Sequence, residues 1–108
     1  MTSFDPEYVL LADMYRDGYY PDFLVDKVKA ELEKVISLLE TGEKDTSKIQ
    51  AAFDAMTMAI NDLAEEFDEN DSEIETVARE CIAENVAVIL DWFEIPIDVE
   101  DAIAERDW

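Results

Sequence analysis

Four carboxylates on one predicted helix are the residues whose type and spacing could do chemistry. They are Asp62, Glu65, Glu66 and Glu69. Oxygen ligands of this kind suit a hard cation such as Mg²⁺, which keeps several of its own waters. The chain has no histidine, which removes nucleophile–histidine pairs and the histidine-dependent metal sites. The four acids are therefore candidate magnesium ligands, and the alternative is the solvated end of an acidic helix. No catalytic residue and no other cofactor site is predicted.

The stretch from Glu65 to Glu69 reads EEFDE and has the form EExxE. In this it resembles the all-α nucleotide pyrophosphohydrolases, whose helix-borne acids hold magnesium against a triphosphate. Those enzymes add a downstream ExxD on a second helix, and the predicted fourth helix here lacks one. The nearest sequence is Asp91 to Glu94, which is reversed in type. An enzyme of this kind is one hypothesis, and a protein without enzymatic activity is favoured over it.

The charge of the chain is strongly negative and unevenly distributed. There are 29 acids against 8 bases, a net charge of −21. Such a surface repels nucleic acid and anionic membranes, which are bound by Lys and Arg, and it attracts basic proteins. Residues 1–48 carry a net −5 and residues 49–108 a net −16. The expected partner is a basic protein that meets the second half of the chain, with no nucleic acid and no membrane bound.

An aromatic stretch, DMYRDGYYPDF, holds Tyr15, Tyr19, Tyr20 and Phe23. One interpretation is that these rings fill the corner between the first two helices, with the tyrosine hydroxyls reaching water. The other is an exposed patch among acids that docks a basic protein. The residues predicted to contact such a partner are Asp17, Tyr19, Tyr20, Asp22, Glu65, Glu66, Asp68, Glu69, Asp71 and Glu73.

Helical spacing of apolar residues runs through most of the chain, and it predicts an all-α fold. We expect a single domain over 1–108, a bundle of four main helices plus a short C-terminal one. The predicted start signals are Asp5-Pro6, Pro21, a Ser47/Gln50 capping box, a Ser72/Glu75 capping box and Asp98. The predicted stops are Gly18, Gly42 and Ile95-Pro96.

The single cysteine, Cys81, occupies a core position of the fourth predicted helix. It cannot form an intramolecular disulfide, so a reducing compartment is expected. The N-terminus lacks the basic region of a signal peptide, and no apolar run approaches the ~18 residues of a membrane span. Together these features predict a cytoplasmic protein.

Two blocks carry a family resemblance: DMYRDGYYPDFLVDKVKAELEKV, residues 13–35, and INDLAEEFDENDSEIETVARECIAENVAVI, residues 60–89. Together they resemble a bacterial family of small acidic proteins that is catalogued only as a domain of unknown function. The resemblance covers nearly the whole chain. It implies a bacterial origin and a one-domain helical protein, and it brings no activity or site residues.

Three functions stay open from the sequence. The first is an interaction protein, of the immunity or nuclease-inhibitor type, that masks a basic protein with the acidic face of residues 54–101. The second is the magnesium-dependent enzyme. The third is a structural or regulatory module that self-associates through its aromatic residues. Net charge, small size and the lack of a catalytic set favour the first.

Overall fold

A computed structural model describes residues 3–108, and within that range it contains helices and no strand, which confirms the all-α prediction. The helices are α1 (Ala12–Arg16), α2 (Asp22–Glu40), α3 (Thr46–Glu69), α4 (Thr76–Trp92) and α5 (Val99–Ala102). Three of these are long and two are about one turn. The expected arrangement of four main helices is therefore not confirmed, because the first helix is only about one turn long.

The first helix is short because the chain before it is held by other contacts. The side chain of Asp5 accepts the N–H of Glu7 at 2.9 Å, which makes a local turn. Leu11 then adopts a left-handed conformation with φ 57°, which no α-helix can contain. Its N–H donates instead to the side chain of Asn85, on α4. Asp5-Pro6 thus marks a turn, and helical geometry begins only at Ala12.

Two predicted capping boxes and one predicted stop are also corrected. The N-cap of α3 is Asp45, whose carboxylate accepts the N–H of Ser47 at 2.9 Å. At α4 the hydroxyl of Ser72 donates to the carbonyl of Tyr19 rather than capping the helix. Gly18 lies outside the positive-φ region, and α1 ends at Arg16, followed by the C-cap residue Asp17 in an extended conformation. Short polar side chains before a helix have several possible acceptors and donors, so spacing alone does not select the pair that forms.

Each of the three long helices is followed by a residue in the left-handed backbone conformation. Gly42, with φ 90°, ends α2 as predicted. Asp71 and Glu94 take the same left-handed position after α3 and α4, with φ 57° and 54°. The N–H of Ser72 then donates to the carbonyl of Phe67, and the N–H of Ile95 to that of Leu90, each at 2.9 Å. Both are Schellman motifs built without glycine, and both reverse the chain sharply.

One hydrophobic core unites all five helices. α2 and α3 pack along each other, α4 contacts α1 and α5, and α5 also contacts α3. The start of α2 lies beside the end of α3, where Lys27 pairs with Glu66, so these two helices are antiparallel. The apolar stripes of the three long helices are buried apart from Phe23 on α2 and Val77 on α4. No helix within residues 3–108 has the length and apolar character needed to cross a membrane.

The segment before α1 closes one end of this core. Phe4 packs edge-on against Tyr8 and Trp92 and is stacked on Phe93. The indole N–H of Trp92 donates to the carbonyl of Ser3 at 2.9 Å. The opposite end of the molecule is consequently left to the α1–α2 corner and the α3–α4 junction, where the predicted site residues lie.

Candidate functional site

Three contacts join the α1–α2 corner to the α3–α4 junction. The hydroxyl of Ser72 donates to the carbonyl of Tyr19 at 3.0 Å, and the phenol of Tyr20 donates to the carboxylate of Glu75. The ammonium of Lys27 lies 2.7 Å from the carboxylate of Glu66. Two groups of predicted residues, far apart in the sequence, therefore form one surface. We call it the acidic–aromatic surface, and its members are Asp17, Tyr19, Asp22, Phe23, Glu65, Glu66, Asp68, Glu69, Asp71 and Glu73.

The aromatic residues of the corner divide between the two interpretations. Tyr20 is 2% exposed and meets Phe67 edge-on, with ring centroids 6.3 Å apart. Tyr15 is half-buried, and its hydroxyl donates to Asp26 at 2.5 Å. In contrast, the side chains of Tyr19 and Phe23 are 45% and 52% exposed. Tyr20, predicted as a contact residue, instead anchors the surface from below, and Tyr19 and Phe23 are the rings available to a partner.

The acids of the acidic–aromatic surface are largely in solvent. Asp22 and Glu65 are exposed, as are the four acids Asp68, Glu69, Asp71 and Glu73 at the end of α3 and in the following loop. Asp17 is half-buried, and its carboxylate accepts the N–H of Tyr19 at 3.0 Å. Exposed carboxylates around an apolar centre are the arrangement in which charge steers a partner and the centre supplies binding energy.

Desolvation first, and the neighbouring carboxylates second, raise the pKa values of the two adjacent tyrosines of the corner. Desolvation, followed by the charges of Glu73 and Glu75, raises the pKa of Tyr19 above its ordinary value of 10.0. Desolvation and the hydrogen bond to Glu75 raise the pKa of Tyr20 much further. Both phenols therefore stay neutral and keep their protons available for hydrogen bonds at any physiological pH.

The candidate magnesium ligands are not brought together. Within residues 3–108, no group of three or more Asp, Glu, Cys or His side chains is placed to hold a metal ion. Asp62, Glu65 and Glu69 are exposed on α3, and Glu66 is engaged by Lys27. The side chains as they stand do not fit a magnesium site, and the geometry offers the pyrophosphohydrolase hypothesis no support.

Cys81 lies in the core, as its position in the apolar pattern predicts. It is 4% exposed beneath a cleft of about 280 Å³ that lies between α4 and the chain from Glu7 through α1. Burial, and the negative charges of Asp13 and Glu84, raise the pKa of this thiol. A protonated, buried thiol is a poor nucleophile, so Cys81 is a packing residue.

Sequence reasoning missed three residues that build the site. Lys27 lies among acids of its own helix, and Glu75 fits a local capping box, so their spacing in the sequence does not indicate the contacts that they make. Asn85 is a polar residue that interrupts the apolar pattern of α4, and it is 4% exposed. That interruption was the available signal, because a buried amide must find partners. The contacts of Lys27 and Glu75 are long-range and had no local signal.

Residues 4–108 match the model of a family of unknown function, DUF5713, so the chain belongs to that family. This confirms the resemblance drawn from the two sequence blocks. No curated protein and no solved structure matches the chain.

Proposed function

We propose that this member of the DUF5713 family binds a basic protein through the acidic–aromatic surface. The form of that function which best suits its charge is an inhibitor of the immunity type, which masks a nuclease or another protein that handles nucleic acid. The observation that carries the proposal is the position of two exposed rings, Tyr19 and Phe23, among carboxylates that few bases neutralise.

The rings and the acids have different physical tasks in such a complex. Aromatic side chains bury a large area for little loss of side-chain freedom, and they are enriched among the residues that dominate binding energy. The carboxylates accept charge-assisted hydrogen bonds from Arg and Lys, as phosphates do. They also speed the encounter with a cationic partner. Tight binding that weakens with added salt follows from this division.

The excess negative charge of residues 49–108 destabilises the folded chain, and this cost supports a functional role for the charge. Residues 49–108 contain eighteen acids and two bases, so like charges repel one another in the folded state. A cationic partner relieves that repulsion when it binds. A second copy of the chain cannot do so, because it brings a further −21. A basic protein is therefore a better occupant of the surface than self-association through the same aromatic residues. The single buried thiol is compatible with the reducing cytoplasm as the place of action.

The test is affinity capture from the native host followed by reconstitution with the purified partner. Bait proteins are the wild type, the double variant Tyr19→Ser/Phe23→Ser, and the double variant Asp68→Asn/Glu73→Gln. The control for charge is Asp91→Asn/Glu94→Gln, because it removes the same number of exposed acids at the far end of α4, a helix that spans about 25 Å. The control for the rings is Met58→Ser, since Met58 is 57% exposed on α3.

The proposal expects a partner with a basic isoelectric point, retained at low salt and released as the Debye length falls below about 10 Å. Both surface variants should lose it, and both controls should keep it. If the partner is a nuclease, the wild type inhibits it in a reconstituted assay. Equal retention by Asp68→Asn/Glu73→Gln and by its charge control would contradict the proposal, as would the absence of any basic protein among those retained.

A further inference from the structure

One cation already lies inside the acidic–aromatic surface, and it belongs to the chain itself. The ammonium of Lys27 is 5.9 Å from the centroid of the Phe23 ring and 2.7 Å from a carboxylate oxygen of Glu66. An aromatic face together with a carboxylate is a complete binding position for a cationic side chain. We call the space between the Phe23 ring and the Glu66 carboxylate the cation notch.

The contacts of Lys27 are weak enough to exchange. Its side chain is 48% exposed and that of Glu66 is 41% exposed. Ion pairs at this exposure contribute little, because water screens them and two long side chains must be held in one geometry. The cation–π contact of a hydrated ammonium is similarly modest. Lys27 can therefore leave the cation notch without unfolding any element.

An arginine would fill the same position better than a lysine does. The guanidinium is planar and less strongly hydrated, it stacks on an aromatic ring, and it can donate two parallel hydrogen bonds to a carboxylate. Phe23 presents half of its surface to solvent, and Glu66 keeps a second carboxylate oxygen beyond the one that Lys27 contacts.

We propose that the cation notch of Phe23 and Glu66 receives an arginine side chain of the basic protein partner, and that Lys27 must move aside for it. This inference rests on the proposed function and identifies the chemistry of the partner's central contact. It also makes Lys27 a residue that lowers the affinity of the surface and sharpens its preference for arginine over lysine.

The test uses two labelled peptides, nona-arginine and nona-lysine, against the wild type and two lysine variants. Lys27→Met removes the charge in the cation notch and keeps an unbranched apolar stem. Lys34→Met is the matched control, because Lys34 also lies on α2 and pairs with Glu31 at 2.8 Å, but outside the acidic–aromatic surface. Each variant raises the net negative charge by one, so general electrostatic attraction increases equally in both.

We expect Lys27→Met to bind nona-arginine roughly three- to ten-fold more tightly than Lys34→Met does, the range that one exposed ion pair and one exposed cation–π contact allow. The gain should be smaller for nona-lysine, and it should shrink in Lys27→Met/Phe23→Ser, where only the Glu66 carboxylate of the cation notch is left. Amide chemical shifts should move around Phe23 and Glu66 when nona-arginine is added.

Two results would overturn the inference: equal affinities of Lys27→Met and Lys34→Met, or a gain that does not depend on Phe23. Neither result would contradict the proposed function, provided that the variant Tyr19→Ser/Phe23→Ser fails to bind the natural partner. Conversely, if the ring variant keeps that partner and nona-arginine shifts no residue of the surface, the proposed function fails, and the cation notch fails with it.

Discussion

The side-chain oxygen of Asn85 accepts the backbone N–H of Leu11 at 3.0 Å, across 74 positions of the chain. The amide nitrogen of the same side chain donates to the carbonyl of Cys81 at 2.7 Å. One buried amide thus fixes the left-handed residue that precedes α1 to the middle of α4. The placement of α1, and through it of the corner that carries Tyr19, depends on this contact.

Replacing Asn85 by leucine should destabilise the fold by about 1–3 kcal/mol, because the N–H of Leu11 stays buried and loses its acceptor. Urea unfolding followed by circular dichroism measures the change. The control is Thr57→Val: the buried hydroxyl of Thr57 donates only to the carbonyl of Phe53, one turn earlier in the same helix. That carbonyl keeps its helical partner, so the control should cost less. Equal losses of unfolding free energy in the two variants would show that the long-range hydrogen bond of Asn85 contributes no more to stability than the local one of Thr57.

The loss of unfolding free energy at alkaline pH should depend on Tyr15 and Tyr20. In the folded chain, desolvation and hydrogen bonds to Asp26 and Glu75 raise the pKa of both phenols well above the ordinary 10.0. The folded state therefore binds more protons than the unfolded state above pH 10. Their contribution is complete below pH 10 and is lost progressively as pH rises beyond it.

The variant Tyr15→Phe/Tyr20→Phe should accordingly show a shallower loss of unfolding free energy above pH 10 than the wild type. Tyr19→Phe is the comparison, because Tyr19 is 45% exposed, whereas Tyr20 is 2% exposed. Urea titrations at several pH values between neutrality and the alkaline transition give the slope. An unchanged slope in the double variant would contradict the assignment of the proton linkage to these two phenols.

Glu94 offers a stabilising substitution. It holds the left-handed position of the Schellman motif after α4 with φ 54°, where a side chain costs about 1–2 kcal/mol relative to glycine. Glu94→Gly should therefore raise the unfolding free energy by about 1 kcal/mol, and Gly42→Ala should lower it by a similar amount. Glu94→Gln separates the effect of charge near the helix C-terminus from that of backbone conformation. If the glutamine variant gains as much as the glycine variant, the backbone explanation is wrong.

The apolar spacing of the sequence was enough to predict the long helices and almost all of their buried faces. α2, α3 and α4 each have a stripe that only a helix can bury on one side, so local pattern and global fold agree there. The prediction placed the start of the first helix at Asp5-Pro6, but helical geometry begins only after Leu11, because the N–H of Leu11 donates to the side chain of Asn85. No periodicity reveals which distant side chain will satisfy a given N–H.

The candidate site shows the same division between local and tertiary information. Sequence reasoning identified the aromatic stretch and the acidic run separately, and it left open whether the rings are buried. Their union depends on Ser72 meeting the carbonyl of Tyr19 and on Tyr20 reaching Glu75. Ser72 and Glu75 had a plausible local role as a capping box, which hid their tertiary one.

Neutralising part of the acidic–aromatic surface should stabilise the fold while it weakens binding. Asp68→Asn/Glu73→Gln removes two exposed acids from a region with few bases, so self-repulsion falls. Asp68 also lies in the last turn of α3, where a negative charge opposes the helix dipole. The expected gain is about 0.5–1 kcal/mol at low ionic strength, and added salt should shrink it because the Debye length shortens.

Asp91→Asn/Glu94→Gln again provides the comparison, because Asp91 occupies the equivalent place in the last turn of α4. Its stability should rise by a similar amount, yet its partner binding should stay intact. Urea midpoints at low and high salt, paired with binding of the same preparations to the captured partner, make the distinction.

A gain in stability without any loss of binding in Asp68→Asn/Glu73→Gln would mean that these acids serve solubility alone. A stability gain that persists in high salt would assign it to packing instead of charge. We expect stability to rise in both variants and binding to fall only in Asp68→Asn/Glu73→Gln, which is the pattern of charge retained for a partner at a cost to the isolated fold.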